Sequence, residues 1–167
     1  MLNPSTDDLQ TLSTLAQTLR ARGWRMACAE SCTGGLIAAL CTHVAGSSEW
    51  FERGFVTYSN DAKHQLLGVP EAVLRHHGAV SQAVVQAMAQ GAAQRAGVMA
   101  SLAVTGVAGP SGGSPDKPVG TVWLGWSVAG HTTAQRVQLP GDRAAVRHAT
   151  VRLALQGLVE RLRPSTR

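Results

Sequence analysis

The chain is expected to fold as a three-layer α/β/α sandwich around a mixed, mostly parallel sheet. Three observations point there. Stretches of helical and strand periodicity alternate from one end to the other. The apolar runs Trp24 to Ala29 and Ala100 to Thr105 are short and uninterrupted, as in strands covered on both faces. Two later strands flank Ala129-Gly130-His131, a hairpin signal that adds antiparallel pairing. With 167 residues and neither an internal repeat nor a linker, a single domain over 1–167 is expected.

The elements follow in order. Leu9, Leu12, Leu15, Ala16 and Leu19 recur at helical spacing behind Ser5, with Asp8 three residues on as a capping box. Gly23 closes that helix, and residues 24–29 form the first strand. A helix over 34–43 is entered through the turn SCTGG. GFVTYS, 54–59, reads as a strand, and Asn60-Asp61 as the cap of a short helix holding Lys63. Further helices are expected over 70–77 and 81–95, the second alanine-rich, ended by Gly97 and suited to an oligomer interface. Strands follow over 100–105, 121–128 and 132–139, and Gly141-Asp142 starts a last helix that runs to about Leu162.

Composition narrows the function. The chain is 44% hydrophobic and 15% charged, as in a globular protein. No apolar run reaches membrane-span length, and MLNPSTDDLQ lacks the basic start and apolar centre of a signal peptide, so a cytoplasmic protein is expected, with no membrane partner. Cys28, Cys32 and Cys41 suit that compartment as free thiols. Without CxxC or HxxxH pairings, no metal site is expected. The net charge of +5 is spread as single residues, which suits a small anionic ligand better than nucleic acid. Thirteen of the 15 basic residues are arginine, which draws attention to Lys63 and Lys117, since lysine can give up its proton and arginine cannot.

Four loops carry the candidate chemistry, and parallel pairing would gather them beyond the carboxyl ends of the strands. Ser31 sits where a strand turns into a helix, followed by Thr33, Gly34 and Gly35; it is either a nucleophile near unpaired N–H groups or simply a cap. Cys32 is the rival nucleophile. Lys63 lies in the first turn of its helix, where a cation opposes the dipole and burial would favour the neutral amine that a Ser/Lys hydrolase needs as base. Tyr58, the single tyrosine, stands close by to orient the lysine or the leaving group. The loop TGVAGPSGG, with Thr105, Gly106, Gly109, Gly112 and Gly113, is no P-loop, yet its backbone can form an anion nest. Arg143 and Arg147, one turn apart at a helix start, suit an anion such as phosphate.

Taken together, AESCTGG, GFVTYSNDAKHQLLGV, HGAVS, TGVAGPSGG, KPVGTVW and GDRAAVR resemble, in order, the motifs of the CinA C-terminal domain family, from about Arg20 to Leu162. The family includes stand-alone nicotinamide-nucleotide amidases, which convert nicotinamide mononucleotide (NMN) to nicotinate mononucleotide and ammonia without a metal or other cofactor. The resemblance implies Ser31 as nucleophile and Lys63 as general base. It sets Tyr58, Asn60, Thr105 and the glycine loop around the substrate, and Arg143 and Arg147 near its phosphate. Ser111 departs from the family loop, which often has an acidic residue or glycine there. The alternative is a non-catalytic nucleotide-binding or competence-related interaction module, in which Ser31 only caps a helix.

Overall fold

A computed structural model describes residues 3–164. The chain runs α1 (Thr6–Ala21), β1 (Met26–Glu30), α2 (Leu36–His43), β2 (Phe51–Val56), α3 (Asn60–Leu67), α4 (Glu71–His77), α5 (Gln82–Ala96), β3 (Ala100–Gly106), β4 (Thr121–Val128), β5 (His131–Gln138) and α6 (Arg143–Leu162), with a 3₁₀ turn at Ser47–Glu49. The five strands form one sheet in the order β2-β1-β3-β4-β5. β1 pairs in parallel with β2 and β3, while β4 is antiparallel to β3 and to β5. Only β4 therefore runs against the others, and the sheet is mixed and mostly parallel, as expected.

Local chemistry fixes the helix ends. Ser5 and Asp8 form the reciprocal capping box of α1. Ser81 and Asp142 cap α5 and α6 through their side-chain oxygens, and Gly97 takes the left-handed conformation that ends α5. α3 is capped by Ser59, whose hydroxyl accepts from the Ala62 N–H, so Asn60 and Asp61 lie inside the first turn and are not its cap.

Side-chain alternation along the strands divides the core in two. Met26 and Cys28 of β1 and Leu102 and Val104 of β3 face α1, α2 and α6. Ala29 and Ala103 face α3, α4 and α5. The alanine-rich α5, expected to suit an interface between subunits, turns Val84, Val85, Met88, Ala89 and Ala92 into this second core. Its small residues let it lie close on the sheet, where the Ala89 carbonyl accepts from the buried Ser101 hydroxyl at 2.6 Å. No described helix is long and apolar enough to cross a membrane.

Candidate active site

β1, β2 and β3 are parallel, so their carboxyl ends lie at one edge of the sheet, where the chain leaves it into three loops. A cavity of about 310 Å³ opens there. Ser31, Tyr58, Asn60 and Lys63 line one side. Thr105, Gly106, Gly109, Ser111 and Gly112 line the other, and Arg143 reaches in from the start of α6.

Lys63 is 1% exposed. Its Nζ lies 3.1 Å from Ser31 Oγ, 3.0 Å from the Thr57 carbonyl oxygen and 3.2 Å from that of Tyr58. The Ser59 carbonyl oxygen is at 3.5 Å. No carboxylate is among these partners. Burial pushes the Lys63 ammonium below the ordinary lysine value, opposed only in part by the neighbouring Cys32. Four oxygens surround the amine, three backbone carbonyls and the Ser31 hydroxyl. The backbone of residues 57–59 thus aims the amine.

Tyr58 meets Lys63 through its main-chain carbonyl, whereas its phenol points to Arg143, whose Nη2 donates to it at 3.1 Å. Arg143 Nη1 donates to the Gly109 carbonyl at 2.8 Å, so this guanidinium spans the cavity mouth from the glycine loop to Tyr58. Arg147 is turned elsewhere. It donates to the carbonyls of Cys32 at 3.1 Å and Thr33 at 2.8 Å, tying α6 to the Ser31 turn outside the cavity lining.

Thr33, Gly34 and Gly35 also stand behind the cavity wall. Gly34 and Gly35 have positive φ, +57° and +100°, which lets the turn reverse into α2. Thr105 lines the cavity, and its hydroxyl donates to the Ala79 carbonyl at 2.9 Å. Gly113 supports the loop: a Cβ there would crowd the Val119 backbone nitrogen at 2.8 Å. Lys117, the second lysine, donates to the His77 carbonyl at 3.1 Å and ties the same loop to the end of α4.

Two features were not read from the sequence. The carbonyls of residues 57–59 that orient Lys63 belong to a backbone path that side-chain identities do not reveal. Glu30 is fully buried, and its carboxylate accepts from Thr33 Oγ1 at 2.6 Å and from three backbone N–H groups of the following turn and helix. An acid at the end of an apolar strand was the available signal, since a carboxylate is rarely buried unpaired.

Cys32 touches the cavity, but burial pushes its thiol up to about 11, with Glu30 adding to the rise and Arg147 and Lys63 opposing it. The thiol is held protonated, and the Lys63 amine meets the Ser31 hydroxyl at 3.1 Å. Among the described residues, no group of three or more His, Cys, Asp or Glu is placed to hold a metal ion.

Residues 8–162 match the CinA C-terminal domain. The chain is 53% identical over 155 residues to nicotinamide-nucleotide amidohydrolase PncC of Pseudomonas putida, covering 92% of this chain and 97% of that one. It is 48% identical over 159 residues to the protein of that name from Escherichia coli K12, covering 95% and 96%. Among solved structures, the competence/damage inducible protein CihA from Agrobacterium tumefaciens superposes with a TM-score of 0.92 at 41% identity, covering 96% of this chain and 98% of that one. The KP700603 protein of the competence-damaged protein (CinA) superfamily from Klebsiella pneumoniae gives 0.89 at 40% identity, covering 95% and 98%. With this arrangement of strands, loops and cavity, and with likeness at that level over almost its whole length, the chain belongs to the CinA C-terminal domain family.

Proposed function

We propose that the protein is a nicotinamide-nucleotide amidase that hydrolyses the carboxamide of NMN to nicotinate mononucleotide and ammonia, within pyridine-nucleotide recycling in the cytoplasm. The activity for which relatives at 48–53% identity are named supports the substrate class. One observation carries the mechanism: a buried amine, without a carboxylate partner, within 3.1 Å of a serine hydroxyl at a cavity wall.

Neutral Lys63 takes the Ser31 proton as Oγ attacks the carboxamide carbon. The positive pyridinium ring withdraws electrons from that carbon and favours the attack. The tetrahedral oxyanion needs preorganised donors. In the turn after Ser31, the Gly34 N–H already donates to the Ser31 carbonyl at 3.1 Å and the Gly35 N–H to Glu30 at 3.1 Å. The N–H groups of Cys32 and Thr33 make no hydrogen bond to a backbone carbonyl among the described residues, and Cys32 borders the cavity, which suits its N–H to the oxyanion. Lys63 then passes its proton to the nitrogen of the leaving group, the C–N bond breaks and ammonia departs. Water, deprotonated by Lys63, attacks the acyl-enzyme, and Ser31 recovers its proton as the acid leaves. Arg143 is the one cationic side chain of the cavity lining besides Lys63, which suits it to the phosphate.

Ammonia release from NMN tests this reading. Ser31→Ala is expected to lower kcat by about 10⁴-fold or more, as for loss of a serine nucleophile. Cys32→Ala is expected to stay within about threefold of the parent enzyme, since it retains the backbone donor and removes only a protonated thiol. The opposite ranking of the two variants would make Cys32 the nucleophile and refute the assignment.

A further inference from the structure

Glu30 has no part in the chemistry just described, yet it is a fully buried carboxylate directly before the nucleophile. It has no cationic partner. Its Oε2 accepts from Thr33 Oγ1 at 2.6 Å, the Gly35 N–H at 3.1 Å and the Ile37 N–H at 3.0 Å. Its Oε1 accepts from the Ala38 N–H at 2.9 Å and faces the Cys28 thiol at 3.6 Å. Every contact is with a donor, so both oxygens act as acceptors. The amino end of α2, with its unpaired N–H groups, is thus filled from within the chain and is not open to a substrate anion.

The consequence for Ser31 is geometric. β1 pairing fixes Glu30 on the side of the sheet that faces α2, and the next residue, Ser31, turns to the side of α3 and Lys63. One carboxylate therefore grips both ends of the segment 31–35: Glu30 itself in the strand, and Thr33, Gly35 and the first turn of α2 beyond it. Arg147 holds the same segment from outside through the Cys32 and Thr33 carbonyls. With both carbonyls drawn toward Arg147, the peptide planes that carry the N–H groups of Thr33 and Gly34 are fixed, and the Glu30 grip fixes the segment they join.

We propose that Glu30 is a positioning residue of the amidase: by taking the amino-terminal N–H groups of α2 and the Thr33 hydroxyl, it sets the Ser31 hydroxyl against Lys63 and the Cys32 N–H toward the oxyanion. This rests on the Ser31/Lys63 reading above. It assigns Glu30 no contact with substrate and no proton transfer, so its loss belongs to the transition state and not to NMN affinity. Misplacing a reacting group by about 1 Å costs on the order of 100-fold in rate.

The test compares Glu30→Gln and Thr33→Val with the conservative Thr33→Ser, in the full chain well below its melting temperature. Two readouts are used: kcat and KM for NMN per folded molecule, and the rate at which a serine-directed fluorophosphonate labels Ser31. Glu30→Gln turns an acceptor oxygen into an amide nitrogen, and Thr33→Val deletes the 2.6 Å bond while keeping the side-chain shape. The expected result is a kcat about 100-fold lower in Glu30→Gln and about tenfold lower in Thr33→Val, with KM within threefold and labelling slowed in parallel. Thr33→Ser is expected to restore most of the rate. If Glu30→Gln does not fold, the Thr33 pair carries the same comparison. Lowered stability with parental kcat and labelling would overturn the proposal, as would a raised KM at parental kcat. Should the parent label at Ser31 but release no ammonia from NMN, the amidase reading fails while the labelling rates still test the role of Glu30.

Discussion

Lys63 faces two opposed demands. Burial disfavours its charge, and three carbonyls around it favour N–H donors. Because its proton is lost below the usual lysine value of 10.5, turnover should rise with pH along a limb that inflects below that value. The same shift has a signature in stability. Below the lowered value both states carry the proton, and the folded state bears the full penalty of a buried charge. Between that value and 10.5 the unfolded chain binds a proton that the folded one has released, so stability rises with pH across this window. Lys63→Met is expected to abolish turnover and to remove that rise. Urea titrations at a series of pH values compare the two slopes; equal slopes would mean that Lys63 is charged in the folded protein.

At the scale of elements, α3 owes its place to a glycine on another helix. Gly91 lies inside α5, where alanine would ordinarily gain about 1 kcal/mol in helix propensity. Here a Cβ would overlap the carbonyl oxygen of Leu67, the last residue of the helix that carries Lys63. Gly91→Ala is therefore expected to destabilise the fold by about 1–3 kcal/mol, the usual cost of overpacking, and to lower kcat by displacing α3. Denaturant unfolding and kcat on the same preparation check both effects.

Most elements were legible because their ends are set by local chemistry, as at Ser5, Ser81, Gly97 and Asp142. β2 was not. GFVTYS suggested residues 54–59, whereas the strand is Phe51–Val56. It is an edge strand with β1 as its one sheet neighbour, so it tolerates charge: Glu52 lies within 2.7 Å of Arg25 at the sheet border. The Thr57 N–H still donates to the Glu30 carbonyl of β1 at 2.8 Å, and the carbonyls of Thr57, Tyr58 and Ser59 turn to Lys63.

For the molecule as a whole, the parallel core gathers loops 31–35, 57–63 and 105–113, while the β4–β5 hairpin returns the chain so that α6 starts beside them. That convergence followed from the alternation of elements, and it made Ser31 and Lys63 legible as a pair from positions 32 apart. Which of two arginines faces the cavity did not follow from their spacing. Arg143 and Arg147 share a helix face, but the carbonyls of Cys32 and Thr33 lie within reach of Arg147 and occupy its donors. Arg143→Ala is accordingly expected to raise KM for NMN by about 10- to 100-fold, the weight of a charge-assisted bond of about 1.5–3 kcal/mol. It should change kcat/KM for the unphosphorylated riboside far less. Steady-state kinetics on both substrates make the comparison; equal losses would remove the phosphate from the neighbourhood of Arg143.

The base role of Lys63 is tested most directly by single-turnover ammonia release from NMN with the Lys63→Arg protein at saturating substrate. Arginine keeps the positive charge and the donors but cannot accept a proton. A rate lower by about 10³-fold, within the range for loss of a general base, with NMN still bound is the expected result. A rate near that of the parent enzyme would show that no neutral amine at this position serves Ser31.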